Sequence, residues 1–340
     1  MKKVTMYDVA QKSGYTLATV SRALNHNPIV NIHTREKIFE VAREIGYISQ
    51  QNSSSQSKTL PTIGVIIPDI NNPYFPPLLK GIQDQLTEEG LSMIICNSNS
   101  SSQIETECIK TLISAKVKGV IIDPLSDSSF KKFHHLSYKL PIVFTSNAPQ
   151  GSHINCVGID NYAASQIAVN YLISLGHTSI AYIHGNEDAA AYRLRLSGYY
   201  DTLKQHFINI NKKMVCKVHP DRLSGFRATK KIFGMNLRPT AFFASNDSLA
   251  LGVLEFLKKY HFNIPQDISV IGIDNIEYAS FPGIELTTVE EARYILGQTA
   301  ASSILKLLHC TTENTCPAEP IQIIIPPKLI IRNTCGKIYL

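Results

Sequence analysis
The sequence predicts an α-helical helix-turn-helix headpiece over residues 1–47, a linker over 48–61, and an α/β body over 62–333 built as two doubly wound parallel-sheet lobes. Three observations carry this expectation. The first 47 residues show short helical periods and no strand pattern. Residues 48–61 are almost entirely Ser, Gln and other polar residues, too poor in apolar side chains to bury a core. From Thr62 onward, near-continuous apolar runs alternate with helical segments, in two successive series.

In the headpiece, Thr5 is placed to cap a first helix, with Asp8 three residues on, a near match to a capping box. Val9 and Ala10 form the apolar stripe of that helix. Gly14 ends it, because glycine adopts positive φ without steric cost. Thr16 is placed to cap a second helix, in which Val20 and Leu24, four residues apart, share the inward face. Leu17, Ala18, Ser21, Arg22 and Asn25 are left outside. Two helices this short need a cover. The run 34–45 supplies it, with Ile38, Val41, Ala42 and Ile45 at helical spacing.

In the body the predicted order is strand 63–67, helix 78–89, strand 92–96, helix 105–114, strand 120–122 and strand 142–144. A second series begins near Val157. It runs through helix 163–175, strand 180–183, helix 192–205, strand 214–218, helix 225–232, strand 241–244, helix 248–259 and strand 270–273. Apolar strands spaced by helices imply a parallel sheet covered on both faces. Such sheets bind ligands at the carboxyl ends of their strands, which places a ligand in the cleft between two lobes.

Composition bounds the function. With 340 residues and 44% hydrophobic content, the chain is long enough for two or three folding units. No apolar run approaches the roughly 20 residues of a membrane helix. Lys2 and Lys3 are followed by Thr5, Tyr7, Asp8 and Gln11 instead of an apolar stretch, so no export signal is predicted and the chain is expected in the cytoplasm. Residues 1–60 carry eight Lys or Arg against four Asp or Glu, which is +4 of the whole chain's +6. A basic small unit beside a nearly neutral large one suits a phosphate-backbone partner. The seven cysteines form no CxxC pair and are odd in number, which argues against a metal cluster or disulfide framework. Cys96 and Cys156 read as small core residues. His134 and His135 are adjacent and point apart, a poor metal pair. There is no Gly-x-Ser-x-Gly, phosphate-binding glycine loop or His-Glu-x-x-His, so no catalytic residue, metal or cofactor is expected.

The run 4–25, with its Ala18-Thr19-Val20-Ser21-Arg22 core, followed by Thr34-Arg35-Glu36-Lys37 and Ile45-Gly46-Tyr47, resembles the DNA-binding headpiece of the LacI/GalR family of bacterial repressors. The two lobes resemble a type I periplasmic-binding-protein fold, so the likeness covers nearly the whole chain. It implies a homodimer presenting two recognition helices to a pseudo-palindromic operator. Leu17 and Ala18 then stand where relatives choose their operators, offering apolar contact to a thymine methyl. Ser21 and Arg22 are expected at base edges or phosphates, and Met6 at a base edge. Thr5, Tyr7, Thr16, Asn25 and Thr34 are expected at phosphates, where they set register. The linker departs from the family. A hinge helix there normally wedges a leucine into the minor groove. Gln56 stands at the wedge position, Ser53 at a small alanine position and Ser49 where proline is usual. A polar amide wedges poorly into a base stack, so DNA kinking in its usual form is not expected.

In the cleft, the resemblance assigns Asn72 to a sugar hydroxyl and Tyr74 and Phe75 to its ring face, from the turn Asn71-Asn72-Pro73-Tyr74-Phe75 after the first strand. Asn147, beside Ser146, follows the fourth strand. Asp160 reads as a helix cap. Arg195, three residues before Gly198, matches a cleft arginine whose planar fork holds two hydroxyls or a carboxylate. Asn246 and Asp274 follow strands, and Glu291 aligns with a polar position at a crossover. Asp247 reads as a cap. An Arg, an Asn and an Asp suit a polyhydroxylated effector. The implied function is a repressor of carbohydrate-utilisation genes whose operator affinity is controlled by a small sugar or phosphosugar. The alternative is a catabolite-control-type regulator switched by a phosphorylated partner protein. No leucine heptad follows Arg332, so a dimer and not a tetramer is expected.

Overall fold
The computed structural model describes residues 4–24, 27, 29–47, 60–137, 139–149, 151–313 and 319–338. The linker reading therefore lies outside the described residues, as does Asn25. Residues up to Leu60 form one compact unit and those from Pro61 onward another.

The first unit is three helices, α1 (Met6–Ser13), α2 (Leu17–Leu24) and α3 (Ile32–Glu44). The capping box at Thr5 and Asp8 is present in both directions. Gly14 closes α1 at φ 74°. The core is Val9, Val20, Ala23, Val30, Ile38, Ala42 and Tyr47, with Leu24 and Ile45 packed at its edge. Ala23 thus takes the central inward position expected of Leu24. The third helix starts two residues early, because Asn31 caps it by accepting from His33 N–H at 2.9 Å. Arg35 donates to the carbonyls of Asn27 and Val30, holding the α2–α3 connection.

The second unit holds two six-stranded sheets. The first lobe contains β1 (Thr62–Ile67), α4 (Phe75–Glu88), β2 (Ser92–Asn97), α5 (Ser102–Ser114), β3 (Gly119–Ile122), α6 (Asp127–His134), β4 (Ile142–Phe144) and β5 (Cys156–Ile159). The chain then crosses to the second lobe. There it forms α7 (Asn161–Ser174), β6 (Ile180–His184), α8 (Ala190–Gln205), β7 (Val215–Lys217), α9 (Arg222–Gly234), β8 (Ala241–Ala244), α10 (Asp247–Lys259), β9 (Ser269–Asp274) and β10 (Thr287–Glu290). It returns as α11 (Arg293–Glu313) and β11 (Gln322–Ile325), then crosses again to β12 (Lys328–Ile330). The strand orders are β11-β5-β4-β3-β1-β2 and β12-β10-β9-β8-β6-β7. All pairings are parallel except β12 on β10.

Each sheet is covered on both faces. In the first lobe α4 and α11 pack Leu78, Ile82, Leu296 and Ala300 on one face, while Ile109, Leu112, Phe130 and Phe133 of α5 and α6 cover the other. In the second lobe Ala228, Ile232, Val253 and Leu257 cover one face and Ala168, Leu172, Tyr199 and Leu203 the other. Backbones approach closely where α4 meets α11. A Cβ on Gly297 would stand 2.1 Å from the carbonyl oxygen of Leu78, and one on Gly81 2.1 Å from that of Tyr294.

Several expectations are corrected. The strand at Val157 belongs to the first sheet, so the second lobe begins at α7. Helix α4 starts at Phe75, because Pro76 and Pro77 sit in its first turn, where no N–H is needed. Helices α6 and α11 and strands β10, β11 and β12 were not expected. The packed body also runs past residue 333. Thr334 accepts from Thr287 N–H and donates to Val270 C=O, and Ile338 N–H reaches Leu175 C=O at 3.0 Å.

Candidate functional site: an exposed helix face and an interlobe cluster
On the headpiece, the expected contact residues lie around the first turn of α1, along α2 and at the start of α3. Thr5 is occupied by its cap: its hydroxyl and N–H both reach the Asp8 carboxylate, at 2.6 and 2.7 Å. Met6 is half-buried against the core, and Tyr7 is 67% exposed. Thr16 caps α2, accepting from Thr19 N–H at 3.3 Å. Leu17 is 48% exposed; Ala18 and Arg22 are exposed, and Ser21 is half-buried. Thr34 is half-buried in the first turn of α3.

The second cluster lies where strand ends of the two lobes face one another. Arg195 projects from α8 and is 4% exposed. Its Nε donates to Asn161 Oδ1 at 2.7 Å, Nη1 to the carbonyl of Ser245, and Nη2 to the carboxylate of Glu291. Asp274, at the end of β9, lies 3.8 Å from Nη1. Glu291 and Asp274 are 1% and 3% exposed. From the first lobe, Asn147 accepts from Asn161 Nδ2 at 2.9 Å, which extends the network from β4 to Arg195. Asp123, after β3, accepts from the Thr145 hydroxyl at 3.1 Å and feels the charge of Glu291. Tyr74 and Tyr192 complete the group.

Electrostatics follows from burial. Desolvation pushes the Asp123 carboxyl up to about 7, against the Thr145 hydrogen bond and with help from the Glu291 charge. Asp274 is likewise raised, by burial first and Glu291 second, with Arg195 opposing. Burial works against the Arg195 charge, but Glu291 and Asp274 overcome it and raise its pKa. Tyr74 and Tyr192 are held protonated by burial. The backbone is strained at the same place: Asp274, Asn275 and Ala292 take φ of 119°, 55° and 43°.

Arg293 joins the lobes directly. It donates from Nη1 to Pro73 C=O at 3.1 Å in the first lobe and from Nη2 to Asn275 C=O at 2.6 Å in the second. Its guanidinium lies 5.7 Å from the centre of the Tyr74 ring.

The structure brings Asn147, Arg195, Asp274, Glu291 and Tyr74 together and withholds three other expected residues. Asn246 caps α10: its Oδ1 accepts from Leu249 N–H at 2.9 Å and its Nδ2 donates to Pro220 C=O at 3.3 Å. Asp247, expected as that cap, is buried and accepts from the Thr288 hydroxyl and Ile276 N–H. Phe75 is core, packed under α4. Asn72 uses its Oδ1 to accept from Tyr74 N–H at 3.0 Å and so shapes the turn. Asp160 caps α7 as expected, at 2.9 Å from Ala163 N–H. Asn161, Asp123, Tyr192 and Arg293 were missed. Asp123 carries the same signal as Asp274, a carboxylate directly after an apolar strand. Tyr192 lies one helical turn before Arg195.

Residues 60–333 match the model of periplasmic binding proteins and the sugar binding domain of the LacI family, and residues 5–50 match that of bacterial regulatory proteins of the lacI family. The ribose operon repressor of Escherichia coli (strain K12) is 31% identical over 323 residues, covering 94% of this chain and 96% of that protein. Catabolite control protein A of Priestia megaterium is 30% identical over 316 residues, covering 91% and 94%. Among solved structures, a lac repressor dimer bound to operator and the anti-inducer ONPF superposes with a TM-score of 0.74 at 26% identity, covering 98% of this chain and all, 100%, of that one.

Proposed function
The chain belongs to the LacI family of bacterial regulatory proteins, and from that membership we propose that it is a repressor of carbohydrate-utilisation genes whose operator affinity is set by a small sugar in the interlobe cleft. Two headpieces of a homodimer read the half-sites of a pseudo-palindromic operator through the outer faces of α1 and α2. The effector binds among Tyr74, Asn147, Arg195, Asp274 and Glu291. Its binding biases the two lobes between arrangements of different DNA affinity, and such coupling requires that the effector bind the two arrangements unequally.

One observation carries this reading. A buried arginine is held by groups from three strand ends and tied through Asn161 to the opposite lobe, where a polyol would meet donors and acceptors from both. Thermal-shift screening of sugars against the full chain tests it. A stabilising sugar is expected, and Arg195→Ala is expected to abolish its shift; a shift that survives contradicts the assignment. The 30% identity to catabolite control protein A keeps a second reading in view, a switch driven by a phosphorylated partner protein. That reading predicts no sugar response.

A further inference from the structure
The geometry points to a cleft that takes an uncharged, hydroxyl-rich effector and excludes the phosphate ester of the same molecule; this rests on the effector reading above. Two guanidinium groups are present, and protein groups already hold both. Every nitrogen of Arg195 donates to a partner: Asn161, the Ser245 carbonyl and Glu291. Arg293 donates to the carbonyls of Pro73 and Asn275. Each guanidinium has further N–H groups, but the three carboxylates Asp123, Asp274 and Glu291 outnumber the two cations, so the cluster has no spare positive charge for an anion.

Asp274 is 3% exposed and accepts no hydrogen bond among the described residues; the Arg195 guanidinium lies 3.8 Å away, and Arg293 adds a weaker attraction. Among the described residues Asp123 accepts a single hydrogen bond, on Oδ2 from Thr145. Two carboxylates, one from each lobe, therefore present oxygens that lack donors. Carboxylate oxygens with lone pairs to spare gain from a ligand that supplies hydroxyl protons. A phosphate dianion supplies none near neutral pH and brings like charge into a poorly screened site. Burial and the charge of Glu291 already raise Asp274, so a further negative charge is resisted.

Titration calorimetry of the full chain against matched pairs tests this. The probes are ribose and ribose 5-phosphate, glucose and glucose 6-phosphate, fructose and fructose 1-phosphate, and trehalose and trehalose 6-phosphate, with inorganic phosphate as the anion control. Any pair that binds is expected to do so through its unphosphorylated member, with the ester at least about 100-fold weaker and inorganic phosphate silent. Asp123→Asn retains an acceptor for Thr145 and is expected to narrow that gap by about tenfold; Asp274→Asn is the companion variant from the other lobe. An ester that binds as well as its parent overturns the charge rule alone. Silence from both members of every pair overturns the effector reading and this inference with it.

Discussion
Truncating Arg195 leaves Glu291 and Asp274 buried without their shared cation. Breaking a buried pair from one side costs about 3–5 kcal/mol, whereas an exposed pair such as Lys12–Glu44 contributes under about 1 kcal/mol. Arg195→Ala is therefore expected to lower the melting temperature of the body by several degrees even without effector, and Lys12→Ala to leave it within error. Asp123 gives a pH test. Its folded pKa of about 7 lies above the ordinary aspartate value. Between the unfolded value near ~4 and the folded value, the folded state binds more protons, so stability falls as pH rises through that window. Asp123→Asn removes the penalty. It is expected to raise the melting temperature by a few degrees at pH 8 and to change it little at pH 4; because Asp123 is only half-buried, the gain is smaller than the full shift implies. Equal gains at both pH values would contradict this. At this scale Asp274 was legible from its place at a strand end, whereas Arg195 and Glu291 were assigned through the family resemblance. The sequence could not divide Asn246 from Asp247, because adjacent polar residues after a strand serve equally as cap or as cleft group, and only the Leu249 N–H and the Thr288 hydroxyl decide between them.

At the scale of elements, the α4–α11 contact supplies a case in which two effects oppose. Gly297→Ala adds helix propensity of about 1 kcal/mol. The same methyl would stand 2.1 Å from the Leu78 carbonyl oxygen. Overpacking against backbone costs about 1–3 kcal/mol or more. The net expectation is destabilisation in urea, and a stabilised protein would show that the two helices part without cost. On α1, Thr5→Ala loses a cap of about 1 kcal/mol, and hydrogen exchange of the α1 amides is expected to quicken about fivefold. The cap was legible because the capping box is local in sequence. Helix α11 was not legible. It passes from Arg293, which bridges the lobes, to Leu296, Ala300 and Ile304, which pack inward, with Thr299 and Ser303 bonding back to its own carbonyls. Polar and apolar residues of that kind leave no clean stripe. Strands β11 and β12 are short and half-exposed, and their pairings are to strands far away in sequence.

For the whole molecule, the change from a small helical unit to a large α/β one was visible in the residue pattern. The lobe boundary was not, because a strand's sheet membership depends on its partners. Cys156–Ile159 reads as a buried strand in either lobe, and only its pairing with β11 and β4 assigns it. That assignment matters for function, since Asp160 and Asn161 then sit at the first crossover and Glu291 and Ala292 at the second. Arg293 clamps both lobes immediately after the second crossover. Arg293→Met is expected to loosen the effector-free arrangement, read as a broader distance distribution between spin labels on the two lobes; an unchanged distribution would show that the clamp is not needed. Among the described residues no helix is long and apolar enough to cross a membrane.

The central claim is that one chain reads DNA and answers to a cleft ligand. Its most direct measurement is selection of duplexes from a randomised pool by the full-length protein, followed by titration of the enriched duplex with the sugar that stabilises the body. The account predicts an inverted repeat, bound with an affinity that falls steeply with salt and that changes by at least about fivefold when the sugar is added. Enrichment of no sequence over random duplex at any salt, or an affinity indifferent to a sugar that binds, would contradict it.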